Sequence, residues 1–170
     1  MNDEGGRMMR DEKVQKWLHF EKELSGWLSS HSTEEVHFRN PNQAIIGFPS
    51  NGFRSDGMLT DGKTLLAIEV EARQMHPDTN VGKYWLLMEK FPKYNKVILF
   101  HIFTPAFNSY EWRMKLAGFY AEKMAAVFPF QYHLRDIRSE IDYEGALGKL
   151  KIEIQTVIGH EFNKSTLEII

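Results

Sequence analysis

SDGMLTDGKTLLAIEVEARQMHPDTNVGKYW, residues 55–85, is the stretch on which the reading of this chain turns. Asp61-Gly62 stands between two apolar-rich runs. An Asp-Gly pair in that place predicts a two-residue type I′ turn, which needs positive φ at both central positions. A hairpin over residues 53–71 follows. In that register Thr60 faces Lys63, Asp56 stands opposite Ala67, and Arg54 stands opposite Glu69. Asp56 and Glu69 are then diagonal neighbours, about 7–8 Å apart at the backbone. Along the second strand Leu66, Ile68 and Val70 point one way and Ala67, Glu69 and Glu71 the other, because the strand period is two. The first face is expected in the core and the second is expected to be acidic.

Two readings of that acidic face are open. In one it is a solvated outer surface whose Arg54 and Glu69 form an ordinary cross-strand ion pair, an arrangement that contributes little to stability. In the other Asp56 and Glu69 meet around a hard cation. Carboxylate oxygens suit Mg²⁺ or Mn²⁺, and a chain of 170 residues with no cysteine offers no thiolate for a softer metal.

A chain of this length is expected to form one domain and to bury a core without disulfides or structural zinc. Its composition, 42% hydrophobic and 26% charged, is that of a globular protein, and no apolar run approaches a membrane span, so no membrane partner is expected. The polar, acid-bearing start, MNDEGGRMMRDEK, fits neither a secretory signal nor a transit peptide, which makes a cytoplasmic location the expectation. A formal net charge of −2 argues against a protein that coats nucleic acid by bulk charge alone, while leaving room for a local basic groove, so composition neither supports nor excludes DNA.

Residues 1–10 contain Gly5-Gly6 and no apolar periodicity and are read as a flexible lead, with a single domain over 11–170. Val14, Trp17, Leu18, Leu24, Trp27 and Leu28 recur at helical spacing and predict an amphipathic helix over 11–29. Glu21 falls on that stripe, three after Leu18 and three before Leu24, so it is either a stripe-edge acid reaching solvent or an additional ligand for a metal or water; Glu23 is a weaker candidate. Short strands are expected at 35–39 and 43–48, with turns at 40–42 and 49–52. Beyond the hairpin, Gln74, His76, Asn80, Lys83 and Tyr84 crowd polar groups into eleven residues. A helix capped by Asp78 or Thr79 is expected to run to about residue 91, with Asn80, Lys83, Tyr84 and Leu87 on one face. Lys83 is either an exposed helix cation or a group that neutralises phosphate or polarises water. His76 and Gln74 are candidate substrate contacts beside the ordinary loop roles of such residues.

VILFHIF at 97–103 is nearly all apolar and predicts a strand buried on both faces in a parallel region, at the sheet centre. A helix capped by Ser109 and carrying a stripe of Tyr110, Met114, Ala117, Ala121, Met124 and Phe128 is expected next, followed by a strand at 130–134. The tail alternates and also repeats helically at Leu147, Leu150, Ile154 and Val157; helix is preferred. No phosphate-cradling glycine loop and no nucleophile elbow occurs.

This order of elements, with Ser55-Asp56-Gly57 followed after twelve residues by Glu69-Val70-Glu71, resembles the PD-(D/E)XK nuclease superfamily over roughly residues 13–134. The resemblance implies an α/β fold of restriction endonuclease-like type, three layers α/β/α around a central mixed sheet, in the order α-β-β-β-α-β-α-β. It implies Asp56, Glu69 and the Val70 carbonyl as metal ligands, with Glu21 resembling the acid that some members carry on the first helix. Asn80 with Tyr84 resembles the Gln-x-x-x-Tyr helix signature, with Asn for Gln. Glu71 departs from the pattern by taking the place of the usual lysine; it is read either as a second-metal ligand or base, or as the mark of an inactive site. Hydrolysis of DNA phosphodiester bonds is implied, with one or two Mg²⁺ ions for which Mn²⁺ substitutes and with Lys83 and Gln74 offsetting phosphate charge. A homodimer is implied for cutting both strands. The alternatives are a catalytically inactive nucleic-acid-binding or assembly module on the same fold, and a phosphoesterase acting on nucleotides or small molecules.

Overall fold

Alternation and apolar runs place five strands side by side, and helical stripes place helices over both faces of the resulting sheet. The computed structural model describes residues 4–41, 43–46, 52–72, 76–107 and 111–162, with side chains described from residue 12 onward. Its elements in chain order are α1 (Glu4–Ser29), β1 (His37–Arg39), β2 (Gly57–Thr60), β3 (Thr64–Glu71), α2 (Pro77–Lys90), β4 (Lys96–Phe103), α3 (Glu111–Ala125), β5 (Phe130–Asp136) and α4 (Tyr143–Phe162). The sheet is open and mixed, with strands in the order β1-β2-β3-β4-β5. β1 and β2, and β2 and β3, pair antiparallel, whereas β3, β4 and β5 run parallel. The architecture is three-layered α/β, with four helices among the described residues.

Two cores form because both faces are covered. On one, Leu66, Ile68, Val70, Phe100 and Ile102 pack against Trp17, Phe20, Leu24 and Leu28 of α1 and Leu147, Leu150, Ile154 and Ile158 of α4. On the other, Met58, Leu65, Ala67, Val97 and Leu99 pack against Val81, Tyr84 and Leu87 of α2 and Ala117, Ala121 and Met124 of α3. The two βαβ units thus put both connecting helices on one face, as crossovers of one hand advancing in one direction require. The acidic face expected on the hairpin is therefore roofed by α2 and α3, and it carries apolar residues as well as acids.

The hairpin differs from the two-residue turn. Thr60 pairs with Leu65 and Met58, not Asp56, with Ala67. Only Gly62, at φ +87°, has positive φ there, so Asp61 does not take the type I′ conformation. The reason lies in the Asp61 side chain. Its Oδ1 accepts from the backbone N–H of Lys63 at 2.8 Å and of Thr64 at 2.6 Å, and Thr60 Oγ1 accepts from Gly62 N–H at 2.9 Å. An aspartate that satisfies the turn from its own side chain draws more residues into it. The shift amounts to two residues along β3, so every side chain keeps its face.

Other boundaries moved for tertiary reasons. α1 begins at Glu4, inside the stretch read as a lead, since a helix once nucleated adds one hydrogen bond for each residue it fixes. Phe20, absent from the expected stripe, is fully buried. β4 is buried and parallel to both neighbours, but β3 holds the middle of the sheet. Of the expected strand at 43–48, Ile46 makes a single bridge to Phe53, and residues 47 and 48 lie outside the described residues. Ser109 and Tyr110 also lie outside them. The tail is the helix α4, with Ala146, Leu147, Leu150, Ile154, Ile158 and Phe162 buried. No helix among the described residues is long and apolar enough to cross a membrane.

Gly57 lets α1 cross close over β2. A Cβ there would stand 3.0 Å from Ile68 Cδ1 and 3.2 Å from Ser25 Oγ. Gly57→Val is expected to overpack this crossing and cost about 1–3 kcal/mol, read as a lower urea midpoint at unchanged slope.

Candidate functional site

The strands β3 and β4 deliver their carboxyl ends to one end of the sheet, where β2 begins, and the acids gather there. In open α/β sheets this is the end at which ligands bind. A cleft of about 530 Å³ opens beside it, lined among others by Arg54, Ser55, Asp56, Glu69, Asn80 and Lys83. Asp56 lies one residue before β2, where its N–H donates to the Ile68 carbonyl at 3.2 Å. Its Oδ2 accepts from Val70 N–H at 2.7 Å, so the carboxylate reaches across to the strand that carries Glu69. Ser55 Oγ, buried, donates to the Ile68 carbonyl at 2.9 Å and fixes this entry into the strand.

Glu69 is 1% exposed and is met from α2. Lys83 Nζ donates to Glu69 Oε1 at 2.7 Å, and Tyr84 O–H donates to the same oxygen at 2.6 Å. Lys83 Nζ also donates to Asn80 Oδ1 at 3.0 Å and to the carbonyl of Arg54. The cation on Glu69 is thus Lys83, and the observed register does not bring Arg54 opposite Glu69. Asn80, Lys83 and Tyr84 share one face of α2, as their spacing predicts, but that face is buried against the acidic end of β3 instead of facing solvent.

Glu71 is fully buried beneath Asn80. Its Oε1 accepts from Asn80 Nδ2 at 2.7 Å and from His101 Nε2 at 2.7 Å, while its Oε2 has no hydrogen-bond partner among the described residues. His101 is itself fully buried, and its Nδ1 is 2.8 Å from Tyr132 O–H. Burial and then the charge of Glu71 push the Tyr132 phenol up, so it stays protonated.

The acids raise one another. Burial, followed by Glu69 and Glu21, holds Asp56 well above the usual carboxylate range. Burial, then Glu69 and more weakly Glu71, raises Glu21, with Lys22 acting the other way. Burial and Glu69 also push Tyr84 well up. Glu21 on α1 is near enough to raise Asp56 by its charge, whereas Glu23 accepts from Tyr143 O–H on α4 and belongs to the packing of the two helices. His76 is exposed at the residue preceding α2 and makes no side-chain cap; the expected cap Asp78 takes Arg113 of α3 instead, at 3.1 and 3.2 Å. Gln74 lies outside the described residues.

The donor set can be weighed against a hard cation. Among the described residues no three His, Asp or Glu side chains stand close enough together to enclose a metal ion. Asp56 and Glu69 nonetheless supply two carboxylates at the cleft, with Glu21 adding to the negative charge there and Lys83 at hydrogen-bond distance from Glu69. Mg²⁺ keeps several waters and takes one or two carboxylates, so this pair suits it. The Val70 carbonyl accepts from Ala72 N–H at 3.0 Å.

The sequence reading passed over His101, Tyr132 and Ser55. A histidine inside an otherwise apolar strand run was the available signal for the first, since a buried imidazole must find partners. Compared with protein-family models, curated proteins and solved structures, the chain gives no match.

Two outcomes follow from these contacts. Lys83→Met strips a buried carboxylate of its cation and is expected to cost about 3–5 kcal/mol in urea unfolding, most of it recovered when Glu69→Gln is added. The second concerns pH. The folded state binds a proton on Asp56 more tightly than the unfolded chain does, so Asp56 works against folding progressively as pH rises above the ordinary carboxylate range. Asp56→Asn is expected to raise Tm at pH 7, with the gain shrinking as pH falls toward about 4.

Proposed function

We propose that this protein is a metal-dependent nuclease with a restriction endonuclease-like fold, hydrolysing DNA phosphodiester bonds with Mg²⁺ or Mn²⁺. The observation that carries the reading is the meeting of Asp56 and Glu69 at the mouth of a cleft, where their burial and mutual repulsion leave a charge deficit for a cation to offset. The order of elements around them, an α1 acid, the strand-borne pair and a helix bearing Asn80 and Tyr84, supports it by resemblance.

Asp56 and Glu69 would hold the ion, with the Val70 carbonyl and Glu21 on its margins. A bound Mg²⁺ supplies a water of lowered pKa and charge for the scissile phosphate and leaving oxygen. Tyr84 and Lys83 fix the Glu69 carboxylate. Lys83 also lines the cleft, and a phosphate oxygen replacing its Arg54 carbonyl partner would receive a charge-assisted hydrogen bond. The roles of Gln74 and His76 as substrate contacts belong to the same proposal.

The second reading, a nucleic-acid-binding or assembly module without catalysis, has one observation behind it: all three donors of Lys83 have acceptors within the protein, so no ammonium proton stands ready for substrate. The two readings separate in one experiment. Plasmid and single-stranded DNA are incubated with Mg²⁺ or Mn²⁺, and Mn²⁺ binding is followed by thermal shift. The nuclease reading expects cleavage that Asp56→Asn and Glu69→Gln abolish, together with a cation-dependent stabilisation of about 2.7 kcal/mol at a hundred times Kd. Cleavage undiminished in both variants would sink it, and absence of cleavage by the wild type with either cation would favour the module without catalysis.

A further inference from the structure

We propose that Glu71, standing where the resembled motif has its lysine, is a positioning residue that sets Lys83 through Asn80, and is not itself a metal ligand. What Lys83 does for substrate rests on the nuclease reading; how Lys83 is held does not.

The polarity of the contacts fixes every orientation. Asn80 donates from its Nδ2 to Glu71 Oε1, at 2.7 Å. The amide is rigid, and its Oδ1 is therefore turned to the ammonium of Lys83, at 3.0 Å. Lys83 completes the link to Glu69 Oε1 at 2.7 Å. A reversed amide would face Glu71 with an oxygen and Lys83 with an N–H, two repulsive contacts at once. Glu71 is in turn held by His101 Nε2 on the same oxygen, at 2.7 Å. Tyr132 O–H at 2.8 Å from His101 Nδ1 holds the ring from the other side, so that whether neutral or charged the imidazole presents an N–H to Glu71.

The arrangement accounts for the exchange of charge between motif positions. A lysine at position 71 would lie on β3 beside Glu69; here the cation comes from α2 and an acid occupies the strand position. Glu71 has no exposed surface and lies under Asn80, which lines the cleft. A group so placed acts on the cleft through Asn80 and Lys83. Its remaining oxygen, Oε2, is the atom through which a direct role as ligand would show.

The test uses the full chain. In the wild type the Lys83 ammonium, 5% exposed and bonded on three sides, is expected to give a resolved ¹⁵N–¹H resonance, assigned by its loss in Lys83→Met. Glu71→Leu removes the carboxylate, and Glu71→Gln replaces it with a neutral, weaker acceptor should the leucine variant fail to fold. In either variant the Asn80 side-chain amide and the Lys83 ammonium resonances are expected to move together. A Lys83 resonance unchanged in both overturns the proposal. Mn²⁺ affinity is measured directly in parallel. Glu71→Gln is expected to leave Mn²⁺ affinity within about twofold while kcat for DNA cleavage falls on the order of tenfold to a hundredfold, the effect of a displaced catalytic group. A loss of Mn²⁺ affinity of about tenfold or more would make Glu71 a ligand and overturn the proposal as well. Wild-type protein that neither binds Mn²⁺ nor cleaves DNA would remove the nuclease reading alone, and the resonance measurement would still decide how Lys83 is held.

Discussion

A carboxylate taken out of water must be met by donors and by charge, and the organisation of this protein follows from how Glu69 and Glu71 are met. Neither has appreciable exposure. Glu69 is met by Lys83 and Tyr84, and one oxygen of Glu71 by Asn80 and His101, so three of the four donors come from α2 and the fourth from β4. Removing one partner of such a buried pair costs far more than the pair contributes. The docking angle and rotation of α2 over β3 are consequently set by polar contacts at one end of the helix and by apolar packing of Val81, Leu87 and Met88 along the rest.

Much of the architecture could be read because it depends on periodicity. The buried character of β4, the helical stripes of α1 and α3 and the face assignment of β3 all rest on the spacing of apolar residues, and they hold even where an element's limits moved. The hairpin shows why parity survives a wrong register. Asp61 bonding to its own turn moved the pairing by two residues, and a two-residue slip leaves every side chain on its face, whereas a slip of one would have exchanged acids for core.

What could not be read is which groups meet across the sheet. The chain places Lys83 fourteen residues after Glu69 and on a different element, and nothing local says that its ammonium ends on that carboxylate. His101 looked like one more member of an apolar run. Its role depends on β3, β4 and β5 lying side by side in parallel, so that Glu71, His101 and Tyr132 form a line across three strands. Local spacing states which face a residue takes, and only the tertiary pairing states its partner.

The position of the acids at the switch from antiparallel to parallel pairing has a consequence of its own. β2 enters the sheet at the end where β3 and β4 leave it, so Asp56 at the start of β2 and Glu69 near the end of β3 are adjacent although thirteen positions apart. An all-antiparallel meander would follow β3 by a tight turn and leave this end covered by chain. A parallel neighbour instead demands a crossover, which carries the chain away through α2 and leaves the strand ends open to the cleft. The crossover that opens the site also supplies Asn80, Lys83 and Tyr84. One topological step thereby brings together both the acids beside the cleft and the groups that hold them in place.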